Sequence, residues 1–193
     1  MIIMCGRYTL FSDTEMADIR EIIEVVQRQT GEIKTGEIFP TDKAPVLIWQ
    51  QGILSPQAVK WGFPNFKNKG IVINARSETA EEKPMFRKSL ITRRCVIPST
   101  GFYEWSQDAE KIKYQFNLPD TGSLYMAGMY NNFKDDKRFV ILTTQANASM
   151  EQIHNRMPVI LRREEISQWL TDFEGAMDVI HSERPTLVAR SVS

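Results

Sequence analysis

Apolar positions in the first part of the chain recur at helical spacing. Met16, Ile19, Ile22, Ile23 and Val26 lie on one helical face, and Ser12 followed three residues later by Glu15 reads as a capping box. The pattern predicts a helix that starts near Ser12 and stops by Gly31. The texture then changes to short β-rich runs at 46–50, 58–62 and 71–73, broken by Pro40, Pro45, Pro56 and Pro64. Helical spacing returns over 77–93, with Pro84 as a first-turn residue and Phe86 and Leu90 sharing a face. Strands are expected at 95–97, 102–106, 112–117, 124–130 and 138–144, with turns at 119–122 and Asp135-Asp136. Helices are expected again at 149–154, 164–170 and 173–180, and a last strand at 186–189.

Strands following one another every 8 to 14 residues or so favour an antiparallel sheet or barrel over βαβ units. The fold class expected is α+β: a single domain over residues 1–193, with a largely antiparallel sheet or barrel core and a few peripheral helices. No repeat, low-complexity segment or linker suggests a boundary. Hydrophobic residues at 42% and charged residues at 25% describe a chain that folds. No run approaches the roughly 18 apolar residues of a spanning helix, and residues 1–4 lack the basic leader of a signal peptide, so a cytoplasmic location is expected. Two cysteines, Cys5 and Cys95, make no disulfide framework.

Net charge is zero, from 24 Lys plus Arg against 24 Asp plus Glu, so bulk electrostatics do not announce a nucleic-acid partner. The distribution is uneven: Lys83, Arg87, Lys88, Arg93 and Arg94 cluster without an acid among them, while 164–183 holds six acids and no Lys or Arg. A basic face is allowed, and so is an ordinary solvated helix surface.

The P-loop, the dinucleotide-binding glycine fingerprint and the nucleophile elbow are all absent. Two histidines and two cysteines without metal-ligand spacing give no metal site, and no cofactor is expected. Cys5 stands near the chain start before Gly6 and Arg7, where little bulk and a nearby cation favour an open thiolate. If the residues before it are removed, its α-amine, titrating near about 7.7 to 8.0, stands beside the thiol. Such a 1,2-aminothiol condenses with aldehydes, the amine to an imine and the thiol then to a five-membered thiazolidine. The alternative is a small buried hydrophobe in a first strand.

His154, in Ile153-His154-Asn155-Arg156-Met157-Pro158, suits a general acid or base, or a structural hydrogen-bonding group. Glu104 stands in Gly101-Phe102-Tyr103-Glu104-Trp105, on the strand face opposite Tyr103 and Trp105, either buried as a proton carrier or facing solvent. Asn74-Ala75-Arg76 would present an amide and a guanidinium from a loop edge, a phosphate contact or a plain turn. Trp61 and Trp105, with Phe63 and Phe66 near the first, serve either as core or as base-stacking platforms.

Taken together, Met4-Cys5-Gly6-Arg7-Tyr8, Trp61-Gly62-Phe63, Asn74-Ala75-Arg76-Ser77-Glu78-Thr79, the Gly101 to Trp105 strand and the His154 segment resemble, in order and spacing, the SOS-response-associated peptidase (SRAP) family. The resemblance implies covalent capture of abasic sites in single-stranded DNA, with the N-terminal cysteine closing a thiazolidine on the ring-opened sugar, in the response to DNA damage. It implies Cys5 as nucleophile, Asn74 orienting cysteine and sugar, Glu104 managing the amine proton and His154 assisting sugar opening. Arg7, Arg76 and Arg156 would hold phosphates, Trp61 and Trp105 would stack against bases, and Thr143 would be a small polar wall. Placed cations would then bind DNA despite zero net charge.

The family expects cysteine directly after the initiator methionine, whereas Met1-Ile2-Ile3-Met4 precedes it here. Either translation starts at Met4, or residues 1–4 are a propeptide cut off by autoproteolysis; uncut, they would lie near the pocket and block capture. The implied protein is a cysteine autopeptidase with lyase-like chemistry, expected to be a monomer without membrane or metal partners and, in a bacterium, to join the nucleoid on damage. The alternatives are a non-catalytic single-stranded nucleic-acid binding module and a general cysteine peptidase using Cys5 and His154.

Overall fold

A computed structural model of the chain describes residues 6–13, 15–31, 33–65, 70–119, 122–134 and 136–192. In chain order these form β1 (Tyr8–Leu10), α1 (Ala17–Thr30), β2 (Gly36–Ile38), β3 (Lys43–Gln50), β4 (Ile53–Trp61), β5 (Phe63–Pro64), β6 (Ile71–Val72) and β7 (Asn74–Arg76). A 3-10 turn over Ser77–Thr79 leads into α2 (Pro84–Thr92), β8 (Arg94–Ser99), β9 (Gly101–Trp105), β10 (Lys113–Asn117), β11 (Leu124–Phe133) and β12 (Asp136–Gln145). The chain closes with β13 (Arg156–Pro158), β14 (Ile160–Leu161), α3 (Glu165–Thr171), α4 (Phe173–His181) and β15 (Val188–Ser191).

β4, β3, β8, β11 and β12 pair in that order, and β12 pairs again with β4, so five strands close into a barrel. Closure removes both sheet edges along the ring. β8 is buried along its whole length, as are the middle of β3, most of β11 and the middle of β12, and these stretches read as apolar runs, whereas β4 is largely half-exposed. Period two then sorts their side chains. Val46, Ile48, Val59, Cys95, Ile97, Met126, Phe139 and Ile141 share the inner core with Ile19, Ile23 and Val26 of α1. Leu47, Val96, Ala127, Met129, Val140 and Leu142 pack outward against Phe86 and Leu90 of α2, Trp169 of α3 and Val179 of α4. At Gly128 a Cβ would stand 2.3 Å from Ile97 Cδ1 and 2.7 Å from the Val140 carbonyl, so only glycine lets β11 pass between its neighbours. A second sheet, in the order β15, β10, β9, β1, β2, lays Tyr8, Leu10, Phe102 and Phe116 onto the same inner core.

The α+β single domain with a barrel core and, among the described residues, four α-helices agrees with the pattern read from the chain, but several elements differ. α1 starts at Ala17 behind Met16, with no side-chain cap, and Ser12 sits in a turn, so the Ser12/Glu15 capping box does not form. Gly31 does end the helix, with φ of 81°. Pro45 and Pro56 do not interrupt β3 and β4. β8 joins β3 only at Leu47 and Ile48, and β12 joins β4 only at Lys60 and Trp61, so both prolines have an open second edge. Asn74 to Arg76 is a strand parallel to β12, not a loop edge. Residues 149–154 form turns instead of a helix. The Asn147 carboxamide oxygen takes the Ser149 N–H and hydroxyl, while its amide donates to the Arg184 and Pro185 carbonyls, anchoring the segment outside helical geometry. The last strand lies two residues later than expected, at Val188–Ser191. The expected turn positions 120, 121 and 135, with Phe66, lie outside the described residues.

Candidate functional site

One half of the site gathers at the Thr143 end of β12. β7 runs parallel to it, with Ile141 opposite Asn74 and Thr143 opposite Arg76, and alternation sends Ala75 into the outer core while Arg76 stays exposed. On the other side β13 brings Gln145 opposite Arg156. The turns over 147–153 swing His154 inward, where it is only 4% exposed. Its Nδ1 accepts the Arg156 backbone N–H at 3.1 Å, which requires a lone pair on Nδ1, so the neutral ring carries its proton on Nε2. That Nε2 is buried and has no hydrogen-bond partner among the described residues. Burial holds the His154 pKa below the ordinary imidazole value; the Arg156 carbonyl 3.3 Å from Nδ1 works the other way, and the Arg156 charge adds to the lowering.

Arg156 is itself held by several groups. Both terminal guanidinium nitrogens reach Glu78, Nη1 to Oε1 and Nη2 to Oε2 at 2.8 Å, while Nη2 also donates to the Thr143 carbonyl at 2.8 Å. The bond from Arg156, set against burial, holds the Glu78 carboxyl below its usual range.

The other half lies on the second sheet. Cross-strand register places Tyr114 opposite Glu104 and Phe116 opposite Phe102, so Glu104 faces inward with the stacked rings of Phe102 and Phe116 and is 3% exposed. Tyr103, Trp105 and Lys113 occupy the outer face. There the Arg7 guanidinium lies 4.3 Å from the Phe39 ring and 5.1 Å from Trp105, and Lys113 Nζ lies 3.8 Å from Tyr103. Glu37 bridges the two cations. Between the halves, Tyr8 of β1 packs 5.3 Å from Trp61, whose Nε1 donates at 3.0 Å to the carbonyl of Ile73, next to Asn74.

A family model described as SOS response associated peptidase (SRAP) matches residues 4–192. The chain belongs to the SRAP family. It is 35% identical over 193 residues to the abasic site processing protein YoqW of Bacillus subtilis strain 168, covering 93% of this chain and 85% of that protein. Identity to the abasic site processing protein YedK of Escherichia coli strain K12 is 27% over 176 residues, with coverage of 86% and 79%. A crystal structure of a Bacteroides thetaiotaomicron protein superposes with a TM-score of 0.79 at 25% identity, covering 98% of this chain and 92% of that one.

In this SRAP protein, Cys5 and residues 1–4 lie outside the described residues, and so does the expected position of the leader beside the pocket. Asn74, Arg76, Thr143, His154 and Arg156 come together around the end of β12, while Arg7, Glu104 and Trp105 belong to the second sheet. Trp61 departs from the expectation of a base-stacking residue. It is fully buried, packed by Tyr8 and stacked 6.1 Å from Phe139, so its faces are already covered by core. Thr143, 1% exposed, is a buried support for Arg156 more than a wall. Glu37, Glu78, Tyr103 and Lys113 were not foreseen, although Glu78 stands inside the Asn74 to Thr79 motif; nothing in sequence spacing pairs Glu37 with position 113. Cys95 is buried in β8 and burial pushes its thiol far up, so it is no nucleophile. Among the described residues, no three His, Cys, Asp or Glu side chains gather as a metal-ligand set, and no helix is long and apolar enough to cross a membrane.

Proposed function

We propose that this protein captures abasic sites in single-stranded DNA through Cys5, as part of the response to DNA damage. The observation that carries the reading is the buried His154 Nε2–H, aimed from a fixed turn and without a partner among the described residues, at the same end of β12 as Asn74 and Arg76. The names of the relatives supply the substrate class. A neutral imidazole with Nδ1 committed to Arg156 acts as a hydrogen-bond donor toward sugar oxygen, favouring ring opening to the aldehyde. Glu104, on the inner face of β9, moves protons on the amine, and Asn74 orients cysteine and sugar.

The chemistry balances in two steps. The Cys5 α-amine adds to the aldehyde and one water leaves as the imine forms. The thiol sulfur then bonds to the imine carbon while its proton passes to nitrogen, closing the thiazolidine. A free amine requires either translation from Met4 with methionine removal, or hydrolysis of the Met4–Cys5 bond, which consumes one water and releases residues 1–4. Arg7 and Arg76 contact phosphates and Trp105 stacks on a base; Arg156, committed to Glu78, supports the His154 turn. The protein acts as a monomer in the cytoplasm, moving to the nucleoid on damage.

The test mixes proteins starting at Met1 and at Met4 with single-stranded DNA carrying one abasic site, read by denaturing electrophoresis and mass spectrometry. Expected is a heat-stable adduct lighter than the summed masses by one water, lost on Cys5→Ala. With the longer protein it forms only after residues 1–4 are gone. Binding without any adduct would leave a non-catalytic binding module, and turnover of an unrelated peptide would favour a general peptidase.

A further inference from the structure

Glu37 stands on the outer face of the second sheet, at its β2 edge. Its two carboxylate oxygens accept different cations, Oε2 from Arg7 Nη1 at 3.1 Å and Oε1 from Lys113 Nζ at 3.0 Å. Both cations are also seated on rings: Arg7 against Phe39 and Trp105, Lys113 3.8 Å from Tyr103 and 5.9 Å from Trp105. Two positive charges therefore converge on one two-oxygen anion over an aromatic shelf, leaving one net positive charge.

The rings give Arg7 and Lys113 a support of their own beside the Glu37 ion pairs. The carboxylate is the replaceable member. It projects from β2, a three-residue strand at the sheet edge whose one neighbour in the sheet among the described residues is β1. The Glu37 side chain is 32% exposed, so its two ion pairs are of the weak, solvent-screened kind. A phosphodiester offers the same pair of anionic oxygens, and it arrives with bases able to stack beside Trp105 and the 39% exposed Phe39. An acidic peptide brings carboxylates, but it does not pair each anionic group with an adjacent flat ring as a nucleotide does.

Resting on the single-stranded DNA reading above, we propose that Glu37 stands in the place of a backbone phosphate. The strand binds by exchanging its phosphate for this carboxylate on Arg7 and Lys113, which makes Lys113 a DNA contact and Glu37 a brake on affinity. The exchange tunes binding: without DNA the two cations are partly neutralised, and a phosphate must compete with a tethered carboxylate to engage them.

The exchange is read by fluorescence anisotropy of a labelled oligothymidine without abasic sites, titrated over a salt series with the full chain and its variants. Glu37→Gln is expected to bind roughly two- to fivefold tighter, the fold-change of an exposed ion pair removed as competitor. Lys113→Gln is expected to bind more weakly and to lower the slope of log affinity against log salt by about 0.7, one single-strand phosphate contact. Equal or weaker binding by Glu37→Gln overturns the exchange and makes Glu37 a positioning group for Arg7. An unchanged salt slope in Lys113→Gln overturns the Lys113 contact. The two readings fail separately. A wild-type protein that crosslinks abasic DNA but whose Glu37→Gln variant binds no tighter refutes the exchange alone; the expected variant responses without any crosslink refute the capture chemistry alone.

Discussion

Replacing His154 separates its structural bond from its chemistry, because its two ring nitrogens do different jobs. Nδ1 takes the Arg156 N–H at 3.1 Å, a neutral bond with a net value of about 1 kcal/mol. In His154→Leu that N–H loses its acceptor behind a nearly closed surface, at a cost of about 1–3 kcal/mol. For a chain of 193 residues each kcal/mol moves Tm by about 2–4 °C, so a drop of about 2–12 °C is expected. His154→Asn keeps an oxygen that can accept from the N–H two residues on, in the manner of an Asx turn, and should stay within about 1 kcal/mol of the parent. It lacks any donor at the Nε2 position, and losing one placed donor to a developing oxyanion slows the chemical step by about 10²–10³. Adduct formation against time on denaturing gels, beside thermal melts followed by circular dichroism, measures both. A His154→Asn protein that melts normally and captures abasic DNA at the parental rate would refute the role given to Nε2. The pH dependence adds a sign. Burial holds the folded-state pKa below the unfolded value of about 6.5, so the unfolded chain takes the proton first. The stability contribution is complete above that pH and is lost as pH falls through it toward the folded pKa, a limb that His154→Asn removes.

The two tryptophans should part company. Trp61→Ala opens a hole beside Tyr8 and Phe139 and should cost about 3–5 kcal/mol in urea unfolding, whereas Trp105→Ala should leave unfolding nearly unchanged and weaken oligonucleotide binding by about 1–3 kcal/mol. Asp18 accepts from Tyr125 Oη at 2.6 Å and Ser123 Oγ at 2.9 Å; burial pushes its carboxyl up, but these bonds, the Ile19 N–H and the Arg163 charge together hold it below its usual value. Its stability contribution is full above about pH 3.9 and is lost as pH falls through the folded pKa, so an acid titration of Asp18→Asn should show a shallower decline. Arg156→Lys keeps the charge and gives up the two-pronged grip on Glu78. It should slow capture together with a displaced His154 ring signal in NMR, while the salt dependence of DNA binding stays put.

Short-range pattern alone determined a good deal of this molecule. The strand runs at 124–130 and 138–144, the stop at Gly31, Pro84 at the start of α2 and the opposition of Glu104 to Tyr103 and Trp105 are properties of neighbours along the chain, set by local geometry. So was the membership of the SRAP family, because its motifs are short and ordered. What the sequence could not decide was which face of β9 meets the core, and therefore that Glu104 is buried. Equally hidden were the covering of Trp61 by Tyr8 and Phe139, and the commitment of Arg156 to Glu78 and of Arg7 to Glu37. Burial and ion pairing belong to pairs of residues, and only ring closure through β12, with the second sheet folded onto its core, brings those pairs within reach.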